Sequence, residues 1–291
     1  MKTKKAPVHE IRVIETNGII GKIITGRCED VLLGELAPES VDLIITSPPY
    51  ADARQSTYGG IHPDKYVDWF LPKSSVFMKV LKPTGTLILN IKERAVNGER
   101  HTYVIELILQ MRKQGWLWTE EFIWNKKNCH PGKWPNRFRD SWERCLQFNK
   151  QRNFNMYQDK VMIPIGSWAK TRLKNLSETD KTRSESNAKS GFGKNVSNWV
   201  KRDSVYPTNV LDLPTECSNV GHSAAYPVGL PEWFIKLFTK EGDLVLDPFS
   251  GSGTTGVASK KTKRNFVLID VIPEYNELAC ERVINGRPTK K

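Results

Sequence analysis

The sequence predicts an α/β fold, with a mostly parallel, twisted sheet and helices on both of its faces. Two apolar runs each end in residues typical of a ligand site: residues 244–246 precede Asp247 and a glycine-rich turn, and residues 43–45 lead to Ser47 and two prolines. Other short apolar runs alternate with segments of helical period. Because open α/β sheets place ligand groups at the carboxyl ends of their strands, we expect both ends to belong to one site.

Composition limits the classes to which the chain can belong. Its 291 residues, 38% of them apolar, suffice for one catalytic domain with a large insertion. The formal net charge of +12 favours a polyanionic partner, although a merely basic protein has the same charge. Five scattered cysteines without a Cys-x-x-Cys pair predict neither a zinc site nor a disulfide framework. Neither a membrane-spanning run nor a signal core is found, so we expect a cytoplasmic protein with no membrane partner.

The first part of the chain alternates strand and helix patterns after residues 1–18, which show no clear period and are expected to form an arm. The elements that follow are a strand over 19–24, a helix over 29–36, the strand ending at Ser47, a loop over 51–60, a helix over 66–81, a turn at 82–85, a strand ending at Asn90, a helix over 103–112, and strands over 116–124 and 142–148. Pro72 should kink or split its helix, since proline lacks the N–H that an interior position donates.

The second part begins with a polar segment over 166–204, rich in serine, threonine, asparagine and lysine, which cannot bury a core by itself. The elements that follow are a helix over 232–239, a strand over 244–246, a helix over 254–260, a strand over 265–269 that Asp270 closes, and a helix over 273–283. A carboxylate that closes such a strand is well placed for ribose hydroxyls.

The turn after Asp247 is a candidate ligand site. Gly251 and Gly253 allow the backbone to approach a ligand closely, and the helix that begins at Thr254 has free N–H groups in its first turn. A glycine pair after a strand is more often only a turn. No Gly-Lys-Ser/Thr follows, which disfavours phosphate transfer.

Two motifs together resemble those of the DNA amino-methyltransferases, which use S-adenosylmethionine to methylate an exocyclic amine. Ser47-Pro48-Pro49-Tyr50 is similar to the catalytic motif of that family, and Asp247-Pro248-Phe249-Ser250-Gly251-Ser252-Gly253 is similar to its cofactor motif. The order of the two motifs resembles that of the beta group. The serine version of the catalytic motif looks most like the cytosine-N4 enzymes of restriction–modification systems.

This resemblance implies a Rossmann-like methyltransferase fold with a permuted motif order and an antiparallel edge strand. It implies a catalytic half over 1–149, a target-recognition insertion over 150–215 and a cofactor-binding half over 216–291. The implied cofactor is S-adenosyl-L-methionine. The implied partners are double-stranded DNA and a cognate restriction endonuclease that acts separately, and the protein is expected to be a monomer or a homodimer.

The resemblance also assigns roles to individual residues. The implied catalytic residues are Ser47, Pro48, Pro49 and Tyr50. The implied cofactor-binding residues are Asp247, Pro248, Phe249, Gly251, Gly253, Thr254, Thr255, Asp270, His222, Ser223 and Glu29. Ser223 replaces a proline of the family's His-Pro-Ala-x-Phe-Pro element. Arg27 stands where the family has an aspartate near the adenine, so Glu29 or Asp30 is expected to substitute.

Basic residues are the candidates for DNA contact. The loop over 125–139 interleaves them with aromatic residues, which suits phosphate contact and base stacking, although an exposed basic loop has the same pattern. The predicted contacts are Arg54, Lys126, Lys127, Lys133, Arg137, Arg139, Lys201 and Arg202, with Lys170, Arg172, Lys174 and Lys194 as further candidates in the insertion. Each of these residues taken singly is also compatible with solvated surface.

The expected reaction is direct methyl transfer to the N4 amine of a flipped cytosine. The Ser47 hydroxyl and the Pro48 carbonyl can bind the amine and favour a pyramidal nitrogen, while Tyr50 stacks on the base. Asn90 could bind the base or only cap its strand. Adenine-N6 methylation is the alternative on the same scaffold, and an inert DNA-binding module is a further one, against which the intact motifs argue. No cysteine follows a proline, which disfavours carbon-5 methylation.

Overall fold

The two motifs lie at the ends of neighbouring strands in one nine-stranded sheet. The structure is a computed structural model that describes residues 9–16, 18–52, 60–128, 132, 135–167, 171, 174, 203–215 and 226–286. Its first unit comprises Met1–Tyr157 and Asn209–Lys291, and its second unit comprises Gln158–Thr208. The second unit falls inside the predicted insertion 150–215, whose role in target recognition stays a prediction.

The elements of the described residues agree closely with the sequence patterns. In chain order they are β1 (Glu10–Thr16), β2 (Ile19–Thr25), α1 (Cys28–Glu35), β3 (Val41–Thr46), α2 (Pro63–Val80), β4 (Leu81–Ile91), β5 (Ala95–Val96), β6 (Glu99–Arg100), α3 (Tyr103–Lys113), β7 (Leu117–Lys126), β8 (Trp142–Asn149), a 3-10 turn (Gln158–Val161), β9 (Ile163–Pro164), β10 (Ser204–Val205), β11 (Val210–Leu213), α4 (Gly229–Phe238), β12 (Leu244–Asp247), α5 (Thr254–Lys261), β13 (Asn265–Asp270) and α6 (Pro273–Asn285).

The sheet has the strand order β1-β2-β13-β12-β3-β4-β8-β7-β11. Neighbours from β2 to β4 are parallel, β8 is antiparallel to both β4 and β7, and β11 is parallel to β7. Helix α2 contacts α1 and α3, and helix α5 contacts α4 and α6, so the sheet lies between two helical layers. The predicted α/β class with a mostly parallel sheet is therefore confirmed.

The direction of the strands brings their polar ends together at one edge of the sheet. The parallel strands direct their carboxyl ends to this edge, and the inverted strand β8 brings its amino end there. The residues at this edge therefore include the end of β3, the end of β12, the end of β13 and the start of β8. The central strand β3 is buried along its whole length, as the apolar run at residues 43–45 predicts, and its Asp42 and Thr46 are buried with it.

Two differences from the sequence prediction concern the edges of the sheet. The segment expected to form an arm contains β1, an edge strand antiparallel to β2, whose Ile11 and Val13 are exposed, so no clean apolar alternation marks it. The strands predicted over 116–124 and 142–148 are β7 and β8, which form an antiparallel pair, but this pair is not the edge of the sheet, because β11 pairs with β7 beyond it. The antiparallel edge strand is β1.

Two further differences concern prolines. Helix α2 continues through Pro72, because both Pro72 and Asp68, whose carbonyl loses its helical donor, are exposed to water. The turn predicted at 82–85 lies inside β4 as an irregularity, where the register with β3 shifts between Val41 and Leu43.

Within the described ranges, no helix is long and apolar enough to cross a membrane.

Candidate active site

The buried carboxylate of Asp247, at the end of β12, joins the two motifs. Its Oδ1 accepts hydrogen bonds from the Thr46 hydroxyl at 2.7 Å and the Phe249 N–H at 3.2 Å. Its Oδ2 accepts from the Tyr226 hydroxyl at 3.0 Å and the Thr255 hydroxyl at 2.5 Å. These groups come from the end of β3, the turn between β12 and α5, the start of α5 and the segment before α4. One side chain therefore connects four parts of the site.

The Tyr226 and Thr255 hydroxyls also lie 2.6 Å from each other, so their two protons serve three contacts around the Asp247 carboxylate, which offers about four acceptor positions. Burial raises its pKa, and hydrogen bonds led by those from Thr255 and Thr46 act in the opposite direction. The sequence predicted that this carboxylate binds the cofactor. The observed contacts show that the side chain holds protein segments in place, and its role toward the cofactor stays a prediction.

The glycine turn is built against Asp270, at the end of β13. Its carboxylate accepts hydrogen bonds from the Gly251 N–H at 2.9 Å and the Ile272 N–H at 3.0 Å, one on each oxygen. Burial raises the pKa of Asp270 to about 6, against the N–H groups of Ile272, Gly251 and Val271, which favour the charged form. The adjoining Ser250 hydroxyl is buried and has no hydrogen-bond partner among the described residues.

Gly253 closes the turn in a conformation that only glycine adopts easily. Its φ is +78°, and a Cβ atom added there would lie 2.6 Å from the Cβ of Ala279 in α6. The turn therefore packs directly on this helix. Thr254 then begins α5, as the sequence predicts.

An aromatic and charged cluster lies beside the cofactor motif. The ring of Phe249 has its centroid 5.8 Å from that of Trp69 on α2, and Lys73 lies over the Trp69 ring at 4.2 Å. The Lys73 ammonium pairs with Glu29 at 2.9 Å. Burial would raise the pKa of Glu29, but hydrogen bonds and charge, chiefly from Lys73 and then from Arg27, lower it to about 2. Glu29 is therefore a charged acceptor whose predicted contact with the cofactor stays a prediction.

The catalytic motif forms a second polar cluster at the end of β3. The Ser47 hydroxyl donates to the Tyr50 hydroxyl at 3.4 Å, and the Tyr50 hydroxyl lies 2.7 Å from Glu143 Oε2 and 3.2 Å from Asn90 Oδ1. The other oxygen of Glu143 pairs with Lys126. Burial and then the charge of Glu143 raise the pKa of Tyr50, so this hydroxyl stays neutral.

The loop after β3, which contains the catalytic motif, is also held by a contact from α2. The Tyr66 hydroxyl on α2 donates to the Pro49 carbonyl at 3.0 Å, while Pro48 is buried. Because Pro49 has no N–H to bond to a neighbouring strand, its carbonyl and the side chain of Tyr50 supply the contacts that position this turn.

Two residues of the site were not predicted as functional. Glu143 is a buried acid at the start of β8, in a segment whose sequence pattern predicts a strand and nothing more. Tyr226 stands where the resembling family has phenylalanine, and its hydroxyl is the signal that could have identified it. Lys126, predicted to contact DNA, pairs with Glu143 inside the cluster, and its DNA contact stays a prediction.

The loop between β7 and β8 lies at the same edge of the sheet. Phe138 is 94% exposed, and Arg137 and Arg139 flank it. Asp140 pairs with Arg100 at 2.6 Å and Lys92 at 3.0 Å, which ties the loop to the chain after β4.

Two further predicted DNA contacts, Lys127 and Lys174, are exposed. The predicted site residues that lie outside the described residues are Arg54, Lys133, Lys170, Arg172, Lys194, Lys201, Arg202, His222 and Ser223.

Comparison with known proteins identifies relatives over most of the chain. Residues 41–281 match the N6/N4 family model described as DNA methylase. The type II methyltransferase M.PvuII of Proteus hauseri is 30% identical over 277 residues, which cover 88% of this chain and 81% of that protein. The type II methyltransferase M.SmaI of Serratia marcescens is 25% identical over 308 residues, 94% of each chain.

Solved structures share the fold. The PvuII DNA methyltransferase, which is cytosine-N4-specific, superposes with a TM-score of 0.69 at 25% identity and covers 92% of this chain and 88% of its own. A Thermus thermophilus protein crystallised with S-adenosyl-L-methionine superposes with a TM-score of 0.58 at 22% identity, covering 91% and 93% of the two chains, and this likeness concerns the fold alone.

Replacing Tyr226 by Phe should reduce the free energy of unfolding by about 1–3 kcal/mol, because the change removes a buried hydroxyl that lies within hydrogen-bond distance of Asp247 and Thr255. Urea unfolding measures the loss. Tyr157→Phe is the matched control, since Tyr157 is only half-buried and no hydrogen bond of its hydroxyl is found in the described part of the chain. Equal stability of Tyr226→Phe and the wild type would show that this hydroxyl does not hold the site together.

Proposed function

The chain belongs to the N6/N4 DNA methylase family, and we propose that it methylates the exocyclic N4 amine of cytosine at specific sites in double-stranded DNA, by base flipping and direct displacement. The observation that carries this proposal is the 2.7 Å hydrogen bond between Thr46 and Asp247. It places the residue before the catalytic motif against the first residue of the cofactor motif. The serine of the catalytic motif and the likeness to M.PvuII support cytosine as the target.

The residues around the glycine turn fit S-adenosyl-L-methionine, the methyl donor of this family. Asp270 is a buried carboxylate, an acceptor for hydroxyl groups, beside the glycine turn, and the Ser250 hydroxyl is buried with no partner among the described residues. The half-buried ring of Phe249 offers an apolar face beside them. When bound, the cofactor supplies an electrophilic methyl group on a sulfonium.

The residues of the catalytic motif can activate the amine, which is the main chemical requirement of the reaction. An exocyclic amine is a poor nucleophile because its lone pair is delocalised into the ring. Ser47 directs its own proton at Tyr50, so its oxygen lone pairs are free to accept an N–H of the amine, and the Pro48 carbonyl can accept the other. Two acceptors below the ring plane favour a pyramidal nitrogen whose lone pair points at the methyl group.

Tyr50 is held for contact with the flipped base. The 2.7 Å hydrogen bond from its hydroxyl to Glu143 fixes the ring, so little side-chain freedom is lost when a base stacks on it. The net charge of +12 suits the DNA phosphates, whose contacts offset the cost of extruding a base, about a few kcal/mol. A cognate restriction endonuclease that acts separately belongs to the same proposal.

The product of the reaction tests the proposal directly. The protein is incubated with isotopically labelled S-adenosyl-L-methionine and mixed-sequence duplex DNA, and the DNA is digested to nucleosides. We expect label on N4-methylcytosine, and we expect Ser47→Ala to reduce turnover about 100-fold while the cofactor Kd stays near that of the wild type. Label on N6-methyladenine would select the alternative substrate, and DNA binding without any label would select an inert module.

The cofactor affinity should depend on the ionisation of Asp270. Burial raises the pKa of this carboxyl to about 6, and the hydroxyl donors of the cofactor bind its charged form. The Kd should therefore be constant at pH values well above 6 and should rise by up to about tenfold per unit as the pH falls below 6. Calorimetric titration from about pH 5 to about pH 8 measures this dependence. Asp270→Asn should bind weakly at every pH, and a wild-type Kd that ignores pH would exclude Asp270 from the contact.

Phe138 should contribute to DNA binding. Its side chain is almost fully exposed between two arginines, so it stabilises no described part of the fold and is free to stack on a base. Phe138→Ala should raise the Kd for duplex DNA about tenfold, measured by fluorescence anisotropy, with the cofactor Kd unchanged. Ile105→Ala, an apolar truncation on the exposed face of α3, is the control. Equal DNA affinity of both variants would remove Phe138 from the interface.

A further inference from the structure

The Tyr50 hydroxyl lies in the middle of a continuous hydrogen-bonded chain. At one end Ser47 Oγ lies 3.4 Å from it, and at the other end Glu143 Oε2 lies 2.7 Å from it. Lys126 pairs with the second oxygen of Glu143. The members come from the loop after β3, the start of β8 and the end of β7, so the tertiary fold and not local sequence assembles them.

The direction of the hydrogen bonds in this chain is defined. Tyr50 has one proton and two acceptors within reach, and the Glu143 carboxylate is both nearer and charged, so it attracts the proton more strongly than Asn90 Oδ1 at 3.2 Å. The Asn90 amide is oriented by its own donation to the Arg144 carbonyl at 3.1 Å. Ser47 therefore donates to Tyr50, and Tyr50 donates to Glu143.

Methylation of an amine creates a proton that has to leave. The nitrogen lone pair forms the new N–C bond while the bond from the methyl carbon to sulfur breaks, and sulfur keeps that electron pair. The nitrogen then carries a positive charge and one proton too many. This proton is acidic, because its loss returns the nitrogen lone pair to the aromatic ring.

We propose that Ser47, Tyr50 and Glu143 form a relay that carries this proton away from the methylated nitrogen. The inference rests on the proposed function. The amine N–H passes its proton to Ser47 Oγ, the Ser47 proton moves to the Tyr50 oxygen, and the Tyr50 proton moves to Glu143 Oε2. The amine ends neutral and methylated, both hydroxyls are restored, and Glu143 ends as a neutral carboxylic acid.

The surroundings of Glu143 suit this role. Among the described residues, the titratable and charged groups that interact with it are Lys126 from β7, Tyr50 from the loop after β3, Cys145 from β8 and Tyr103 from α3. Lys126 is the cation of this set, and it pairs with the Glu143 oxygen that Tyr50 does not contact. Burial raises the pKa of Tyr50, so the tyrosine passes one proton on as it receives another and does not rest as a phenolate.

Two substitutions separate the relay from a role in packing. Tyr50→Phe keeps the ring that stacks on the base and removes only the hydroxyl, and Glu143→Gln keeps the shape of the acid and removes its capacity to accept a proton. Glu121→Gln is the matched control, because Glu121 lies on β7 and pairs with Arg144, outside the chain from Ser47 to Glu143.

Single-turnover methyl transfer is measured for the wild type, each single variant and the double variant Tyr50→Phe/Glu143→Gln, with cofactor and DNA at saturation from about pH 5 to about pH 9. We expect each single change to slow transfer about 100-fold and the double change to slow it no further, because both interrupt one path. Any loss of rate at acid pH that the wild type shows through this path should be absent in Glu143→Gln. The Kd values for cofactor and DNA should stay within about threefold of the wild type, and the control should match it.

Several outcomes would overturn the relay. A wild-type rate in Glu143→Gln would do so, as would multiplicative losses in the double variant, which would mean that the two groups act separately. A slower Glu143→Gln variant that keeps the wild-type acid limb would assign Glu143 to positioning Tyr50 only. A wild type that labels no DNA would remove the proposed function together with the relay, whereas a methylating wild type with an unaffected Glu143→Gln variant would remove the relay alone.

Discussion

The buried carboxylate of Asp247 is the constraint on which the site depends. Its hydrogen bond with Thr46 joins residues 201 positions apart in the chain. A buried charge is tolerated only when its acceptor positions are filled, and a single unsatisfied buried group costs about 1–3 kcal/mol. The groups around the carboxylate must therefore take their places together, and in doing so they bring the end of β3, the turn before α5 and the segment that contains Tyr226 into one arrangement.

A second buried acid fixes the other end of β3. Asp42 accepts a hydrogen bond from Lys82 on β4 at 2.7 Å and one from the backbone N–H of Leu244, at the start of β12, at 3.0 Å. Strand β3 is thus bound to both of its neighbours at its amino end by Asp42 and to β12 at its carboxyl end through Thr46. Because its side chains between these points are buried, the position of Ser47 is set by the sheet itself. A rigid strand suits a residue that must bring the amine and the methyl group together at close range.

The sequence predicted most of the elements and both motifs, because these depend on local patterns. Apolar runs identify β3, β12 and β13, and the glycines at 251 and 253 identify the turn between β12 and α5. Strand β11 was not predicted, since its four residues give no usable period. Glu143 was missed for a different reason, because an acid within a strand pattern gains its meaning only when Tyr50 arrives from a loop 93 residues away.

The inversion of β8 explains why the candidate relay and the loop that carries Phe138 occur together. Parallel strands present only their carboxyl ends at the active edge, so a side chain at the amino end of a strand reaches that edge only if the strand runs the other way. Strand β8 does so and brings Glu143 to Tyr50. The same inversion requires the connection from β7 to β8 to cross the active edge, and this connection holds the exposed Phe138 and its flanking arginines. A shift of this hairpin would therefore move Phe138 and Glu143 together, which couples the surface proposed for DNA to the group proposed to receive the proton.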